Sequence, residues 1–299
     1  MIPLKVPRLG KRSFVPGILA VLTCLPAGTR ANAQVGDLIN AAGRGDFARV
    51  QALLASGAKV NARADLGMTA LIMASQNDRL DVVRALLASG ANVNARMSGG
   101  GGFTALYMAA AWGRLEVARA LLAKGAEIDA RQSDGATALI EASRNGHLEM
   151  ARELLAGGAD VNARTYLGVT ALIGASQNGH LEVVRTLLSK GARVNAKLAD
   201  DAAILIMASR NGPLQVTHAR LLSRGLVVDT KMNNRINDGG GGSTALIEAS
   251  FHGYREVVQV LLANGAEANA RTAAGITALD AATGHDDVRT LLVMAGAKP

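Results

Sequence analysis

From residue 34 onward the chain repeats itself with a period of 33. ADLGMTALIMASQNDRLDVVRALLASGANVNAR spans 64–96, QSDGATALIEASRNGHLEMARELLAGGADVNAR spans 132–164, and TYLGVTALIGASQNGHLEVVRTLLSKGARVNAK spans 165–197. A fixed period of this length restricts the fold sharply. Each block is one supersecondary unit that touches only its neighbours, and the core is continuous only when units stack.

The physics inside one block is readable. Thr69, Thr137 and Thr170 stand where an N-cap hydroxyl accepts from the first turn of a helix. A short Ala-rich helix follows (Ala-Leu-Ile-x-Ala-Ser), small enough for neighbouring helices to approach closely. Asn-Gly at 145–146 and 178–179 makes a turn. The second helix carries Leu148, Met150, Ala151, Leu154 and Leu155 at helical spacing. Glu149–Arg152 and Glu182–Arg185 form i,i+3 pairs on its outer side. Gly158 and Gly191 close it in the left-handed conformation. Two helices this short cannot bury their apolar faces alone, so the expected fold is an all-α solenoid of helix-turn-helix units.

A 33-residue helix-turn-helix carrying Gly-x-Thr-Ala-Leu, Asn-Gly-His-Leu-Glu and Gly-Ala-Asp-Val-Asn-Ala resembles the ankyrin repeat, over essentially all of 35–299. About eight units follow in register: 35–63 as an N-terminal cap, then 64–96, 97–131, 132–164, 165–197, 198–231, 232–271, and 272–299 as a shortened C-terminal cap. The sixth is degenerate, with Ala203 for the cap Thr, Pro213 at the His147 position and one residue inserted near His218. The family's usual Thr-Pro-Leu-His reads Thr-Ala-Leu-Ile here. The preset first turn given by Pro is lost, and Ile72, Ile140 and Ile173 replace a hydrogen-bonding His.

The N-terminus is of another kind. Lys5, Arg8, Lys11 and Arg12 precede a short apolar run, 14–27, and then Ala31-Asn32-Ala33. This order predicts a secretory signal peptide over 1–33, cleaved after Ala33, ahead of a repeat domain over 34–299. The apolar run is too short for an ordinary membrane span. Cleavage removes five basic residues and no acidic ones, lowering the formal charge from +8 to +3. The case for a nucleic-acid partner weakens accordingly. Cys24, the single cysteine, leaves as well, so the remaining chain has no disulfide and no thiolate chemistry. The expected location is the periplasm or the exterior, and the expected state a monomer.

Gly99–Gly102 invite a phosphate-cradle reading, as does the second run at Gly239–Gly242. Register argues otherwise. From the block-ending base to the cap Thr is six residues in ordinary units (Arg131 to Thr137), eight before Thr104, and thirteen from Lys231 to Thr244. The glycines lengthen the finger loops between units, and no Lys-Ser/Thr follows them as a P-loop requires. Small-ligand or nucleotide binding through these fingers stays a minor alternative. His147 and His180 lie 33 apart in identical turns, a repeat position rather than a ligand pair, and no Cys cluster exists. The Ala-Ser serines, Ser143 and Ser176 among them, recur at a helix-packing position. No catalytic constellation stands out, so no enzyme activity, cofactor or metal is expected. The block-ending bases (Arg63, Arg96, Arg131, Arg164, Lys197) form either a solvated stripe or a phosphate-tracking ladder, and the small net charge favours the stripe.

The resemblance implies a protein partner met by the finger tips and the exposed ends of the inner helices. Carried onto this chain, those positions are Leu66, Met68, Phe103, Trp112, Arg144, Tyr166, Val169, Gln177, Arg210 and Phe251. Four of the seven aromatics after residue 33 fall among them, and aromatic side chains dominate interface energetics. The expectation is an exported, bacterial-type interaction module. An inhibitor, immunity or protective factor for an exported enzyme is a more specific version that the resemblance allows.

Overall fold

A computed structural model describes residues 27–98, 101–199 and 241–298, with side chains from residue 35. Among them are fourteen α-helices and no β-strand. The inner row is α1 (Ala27–Arg44), α3 (Ala70–Gln76), α5 (Ala105–Ala111), α7 (Ala138–Arg144), α9 (Ala171–Gln177), α11 (Ala245–Phe251) and α13 (Ala278–Ala281). The outer row is α2 (Phe47–Ala55), α4 (Leu80–Ala88), α6 (Leu115–Leu122), α8 (Leu148–Ala156), α10 (Leu181–Ser189), α12 (Arg255–Ala263) and α14 (Asp286–Met294). Each inner helix packs on the next inner helix, and each outer on the next outer.

The predicted caps form. The hydroxyl oxygens of Thr69, Thr104, Thr137, Thr170 and Thr244 each accept from the backbone N–H three residues on, at 3.2–3.4 Å. The surface pairs also form, Arg152–Glu149 at 2.7 Å and Arg185–Glu182 at 3.2 Å. The Ile that replaces the family His is buried wherever it occurs among the described residues: Ile72, Ile140, Ile173 and Ile247 are each at most 5% exposed, and unit three carries Tyr107 there instead. What the motif loses as a hydrogen bond it regains as packed aliphatic surface.

Three ladders of polar groups lace the units together. In the first, Asn61, Asn94, Asn162 and Asn269 each donate to a glycine carbonyl of the following unit and accept that unit's N–H. Asp129, at the same position, accepts from Asp160 N–H but cannot donate. In the second, His147 Nε2 meets Ala111 O and His180 Nε2 meets Arg144 O, both at 3.1 Å. Each ring slides under a turn glycine of the preceding unit. A Cβ on Gly113 would stand 2.7 Å from the His147 ring, and one on Gly146 would stand 2.5 Å from that of His180. In the third, the block-ending arginines do something neither sequence reading anticipated. Arg63 donates to Arg96 O (3.1 Å), Arg96 to Arg131 O (2.6 Å), Arg131 to Arg164 O (2.8 Å), and Arg164 to Lys197 O. The stripe is a set of staples between fingers.

The ladders reveal the order of stacking. Unit six was expected between units five and seven. Residues 200–240 lie outside those described, and unit seven docks directly on unit five. Asn195 Nδ2 donates to Gly265 O (3.1 Å), and Glu267 N–H donates to Asn195 Oδ1 (2.9 Å). The Tyr254 ring lies under Gly179, as His180 lies under Gly146. The finger closes as an ordinary one: Leu198 N–H to Ser243 O (2.9 Å) and Gly242 N–H to Leu198 O (3.2 Å) repeat Gln132 N–H to Ala136 O and Gly135 N–H to Gln132 O. The finger preceding Thr244 therefore begins at Lys197, not at Lys231. With 200–240 set aside, Lys197 to Thr244 is the standard six residues.

The same comparison places the first glycine run. Gly101 O accepts from Ser133 N–H, as Leu66 O accepts from Ser98 N–H. Gly101 and Gly102 are thus regular finger positions, and 99–100 are the two added residues. At the N-terminal end, α1 runs unbroken through Ala33, and its buried side chains are Leu38, Ile39, Ala41 and Ala42.

Candidate partner-binding face

Two elements make this face: the Ala-rich inner helices and the fingers that connect the units. Eight large hydrophobic side chains of the described residues are exposed. Four belong to the end units: Phe47, Ile276, Val293 and Met294. The other four are Leu66, Trp112, Tyr166 and Phe251, all at predicted partner positions. Leu66 sits at a finger tip with φ +59°, a conformation that turns a large side chain outward at some backbone cost. Tyr166 tips the finger between units four and five, where its N–H donates to Asp134 O (2.8 Å).

Unit three holds an ordered aromatic group. Phe103 is half-buried, its ring 5.2 Å from that of Tyr107 at 32°. That ring folds back over Gly101, where a Cβ would stand 3.0 Å away, so the glycine is what admits it. Tyr107 is buried, and its hydroxyl donates to Glu141 Oε2 across the unit boundary (3.1 Å). Burial first, then the nearby carboxylates of Glu141 and Asp134, drive the phenol's pKa up from its ordinary value, so it stays protonated and keeps donating. Trp112 ends α5 and is 53% exposed. Sequence reading passed over Tyr107 because a repeat position on an Ala-rich helix reads as core filling. Its hydrogen bond to Glu141 is visible only when units three and four are stacked.

Arg144, Gln177 and Phe251 continue the row at the ends of α7, α9 and α11. Arg144 is exposed, 3.8 Å from Glu141 Oε2. Gln177 is half-buried and donates to Glu248 Oε2 (3.2 Å), while Ser243 Oγ donates to Glu248 Oε1 (2.7 Å). Glu248, which sequence reading set beside the partner positions as a variable residue of the inner helix, is a buried carboxylate, only 2% exposed. Phe251 is 50% exposed and stands edge-on to His252, whose ring stacks on Tyr254. Met68 is half-buried against the core. Val169 departs from expectation: it is 7% exposed and belongs to the core. The position before the cap Thr makes the same backbone pairing at Met68, Phe103, Val169 and Ile276, yet it is half-buried at the first two and exposed at Ile276 of the last unit, so what stacks against the finger, not the finger itself, decides its burial. Arg210 lies outside the described residues.

The family model for ankyrin repeats matches three times, over residues 38–132, 127–198 and 205–299. The chain belongs to the ankyrin-repeat family. The fold agrees with the crystal structure of the human ASB11 ankyrin repeat domain, at a TM-score of 0.65 and 24% identity, covering 88% of this chain and 98% of that one. No curated protein matches. Ankyrin repeats generally mediate protein–protein interaction and are typically binding scaffolds rather than catalysts. No helix among the described residues is long and apolar enough to cross a membrane.

Proposed function

We propose that this protein captures a partner protein on its inner-helix face, anchored by Phe103, Trp112 and Tyr166 and flanked by Leu66, Arg144 and Phe251. One observation carries the reading. Between the two end units, every exposed large hydrophobic side chain among the described residues lies on this face. Scattered exposure is ordinary on any surface, but confinement to one face is what a docking surface needs. The Phe103–Tyr107–Glu141 arrangement holds the anchor in place before binding, which lowers the ordering cost of association.

Export supplies the setting of this reading. It rests on the basic, apolar and Ala-Asn-Ala segments of 1–33, and cleavage after Ala33 keeps the buried residues of α1 from Leu38 on. Alanine at Phe103, Trp112 and Tyr166 together removes capture of the protein that co-purifies with the wild-type chain from the exported fraction, identified by mass spectrometry. Undiminished capture by a triple variant with a wild-type melting curve refutes the assignment of this face. The same preparation gives the N-terminal residue, expected to be Gln34.

A further inference from the structure

A second surface, lined among the described residues by no aromatic side chain, breaks the charge pattern of its neighbours. In the Asn ladder, Asn94 Oδ1 accepts from Glu127 N–H (2.9 Å), Asp129 from Asp160 N–H, and Asn195 from Glu267 N–H. At this position the interfaces on either side of units four and five thus carry an acid, while the two end interfaces carry Asn92 and Lys298. Asn162 Oδ1 accepts instead from Arg193 N–H (2.8 Å). The consequence is visible in the neighbouring staple. Arg96 reaches Glu127 at 3.5 Å, whereas Arg164, its counterpart two units later, shares its space with Arg193. Arg164, Arg193 and Lys197 line one open groove of about 560 Å³, and no carboxylate lines it among the described residues. All three side chains are exposed. Among the described residues neither Arg193 nor Lys197 has a side-chain hydrogen-bond or ion-pair partner, and Arg164 uses part of its five-donor guanidinium on Lys197 O.

We infer that this groove is a second docking surface, taking an acidic peptide segment of a partner protein. It goes beyond the aromatic face and does not depend on it. Three like charges set together repel one another, and an anion placed among them relieves that repulsion. The groove is open and walled by Val194 and by the aliphatic stems of its cations, so it suits carboxylates spaced along an extended chain rather than an enclosed ion. No aromatic side chain lines it among the described residues, so a nucleic acid finds charge there but no stacking platform. The amides of Asn162 and Asn195 are committed to the ladder, which leaves the three cations as the recognising groups.

Fluorescence anisotropy of labelled hexaglutamate with the full chain tests this. The peptide binds in a salt-sensitive way, and Arg193→Glu weakens it roughly tenfold or more. That variant restores the Arg–Glu pairing of units two and three, so its melting temperature does not fall. Lys59→Glu makes the same change in net charge far along the stack and leaves binding within about twofold, because distant exposed charges are screened. Trp112→Ala also leaves it unchanged, which separates this groove from the aromatic face. Absence of binding by the wild-type chain, or equal weakening by Lys59→Glu and Arg193→Glu, overturns the proposal. So does displacement of the peptide by inorganic phosphate at matched ionic strength, or tighter binding of a single-stranded oligonucleotide of equal charge.

Discussion

Deletion of residues 200–240 joins Ala199 to Gly241 and is expected to leave the stack intact. The finger bonds dictate the cut. Ala199 N–H donates to Leu167 O (2.8 Å) as Ser133 N–H does to Gly101 O, and Gly241 O accepts from Ala273 N–H as Asp134 O accepts from Tyr166 N–H. Ala199 and Gly241 are therefore consecutive finger positions, equivalent to Ser133 and Asp134, and the shortened finger has the regular six-residue spacing. The bonds between units five and seven named above all survive, as does the packing of Leu172 and Ile173 near Leu246 and Ile247. The expected change in stability is under about 1 kcal/mol, a melting shift of a few degrees at most for a chain of this size. The alternative is well separated from this. If units five and seven required a unit between them, those four aliphatic side chains alone, at roughly 1.5–3 kcal/mol each, would cost upwards of about 6 kcal/mol. Half a dozen inter-unit hydrogen bonds at about 1 kcal/mol each would add to the loss. Urea unfolding followed by circular dichroism distinguishes the two. A midpoint near that of the full chain is expected. A strongly lowered midpoint, or a transition split into two, refutes direct docking.

Three further outcomes follow from named contacts. Gly146→Ala places a Cβ 2.5 Å from the His180 ring at φ +75°, so it costs about 2–4 kcal/mol, and His180→Ala in the same chain recovers the steric part but not the roughly 1–2 kcal/mol of left-handed strain. Gln132 is 4% exposed and neither end of its amide has a hydrogen-bond partner. Met97 and Leu198 fill the equivalent position in other fingers, so Gln132→Met stabilises the chain by about 1–2 kcal/mol in thermal unfolding. In the last unit, the Thr277 hydroxyl and backbone N–H donate to Asp280 and hold its carboxyl below the usual carboxylate range. A depressed folded-state value gives stability that is complete above the ordinary carboxylate pKa and lost as pH falls through the lower one. Hydrogen exchange in α13 and α14 therefore speeds up below about pH 4 relative to unit four, and Asp280→Asn reduces that dependence.

Much of this was legible in the chain itself. Threonine caps, Asn-Gly turns and apolar spacing are local, and local chemistry decides whether seven residues make a helix. Exposure was legible at helix ends and finger tips, as at Leu66, Trp112, Tyr166 and Phe251. It was not legible at Val169, whose burial depends on what packs against the finger: the equivalent Ile276, with the same backbone pairing, is exposed. The staples of Arg63, Arg96, Arg131 and Arg164, the Tyr107–Glu141 bond and the burial of Glu248 join residues 33 or more apart, or depend on what packs above them. No window of sequence contains both halves of such a contact.

The sequence by itself determined the unit: its two helices, its caps, its period, and the solenoid that such units must build to bury their faces. The tertiary structure decided which units are neighbours. The described units present nearly the same surface to one another, so the finger and ladder of unit five close on unit seven although 200–240 lie between them in the chain. A stack held by repeated nearest-neighbour contacts records the shape of the adjoining unit, not its place in the sequence.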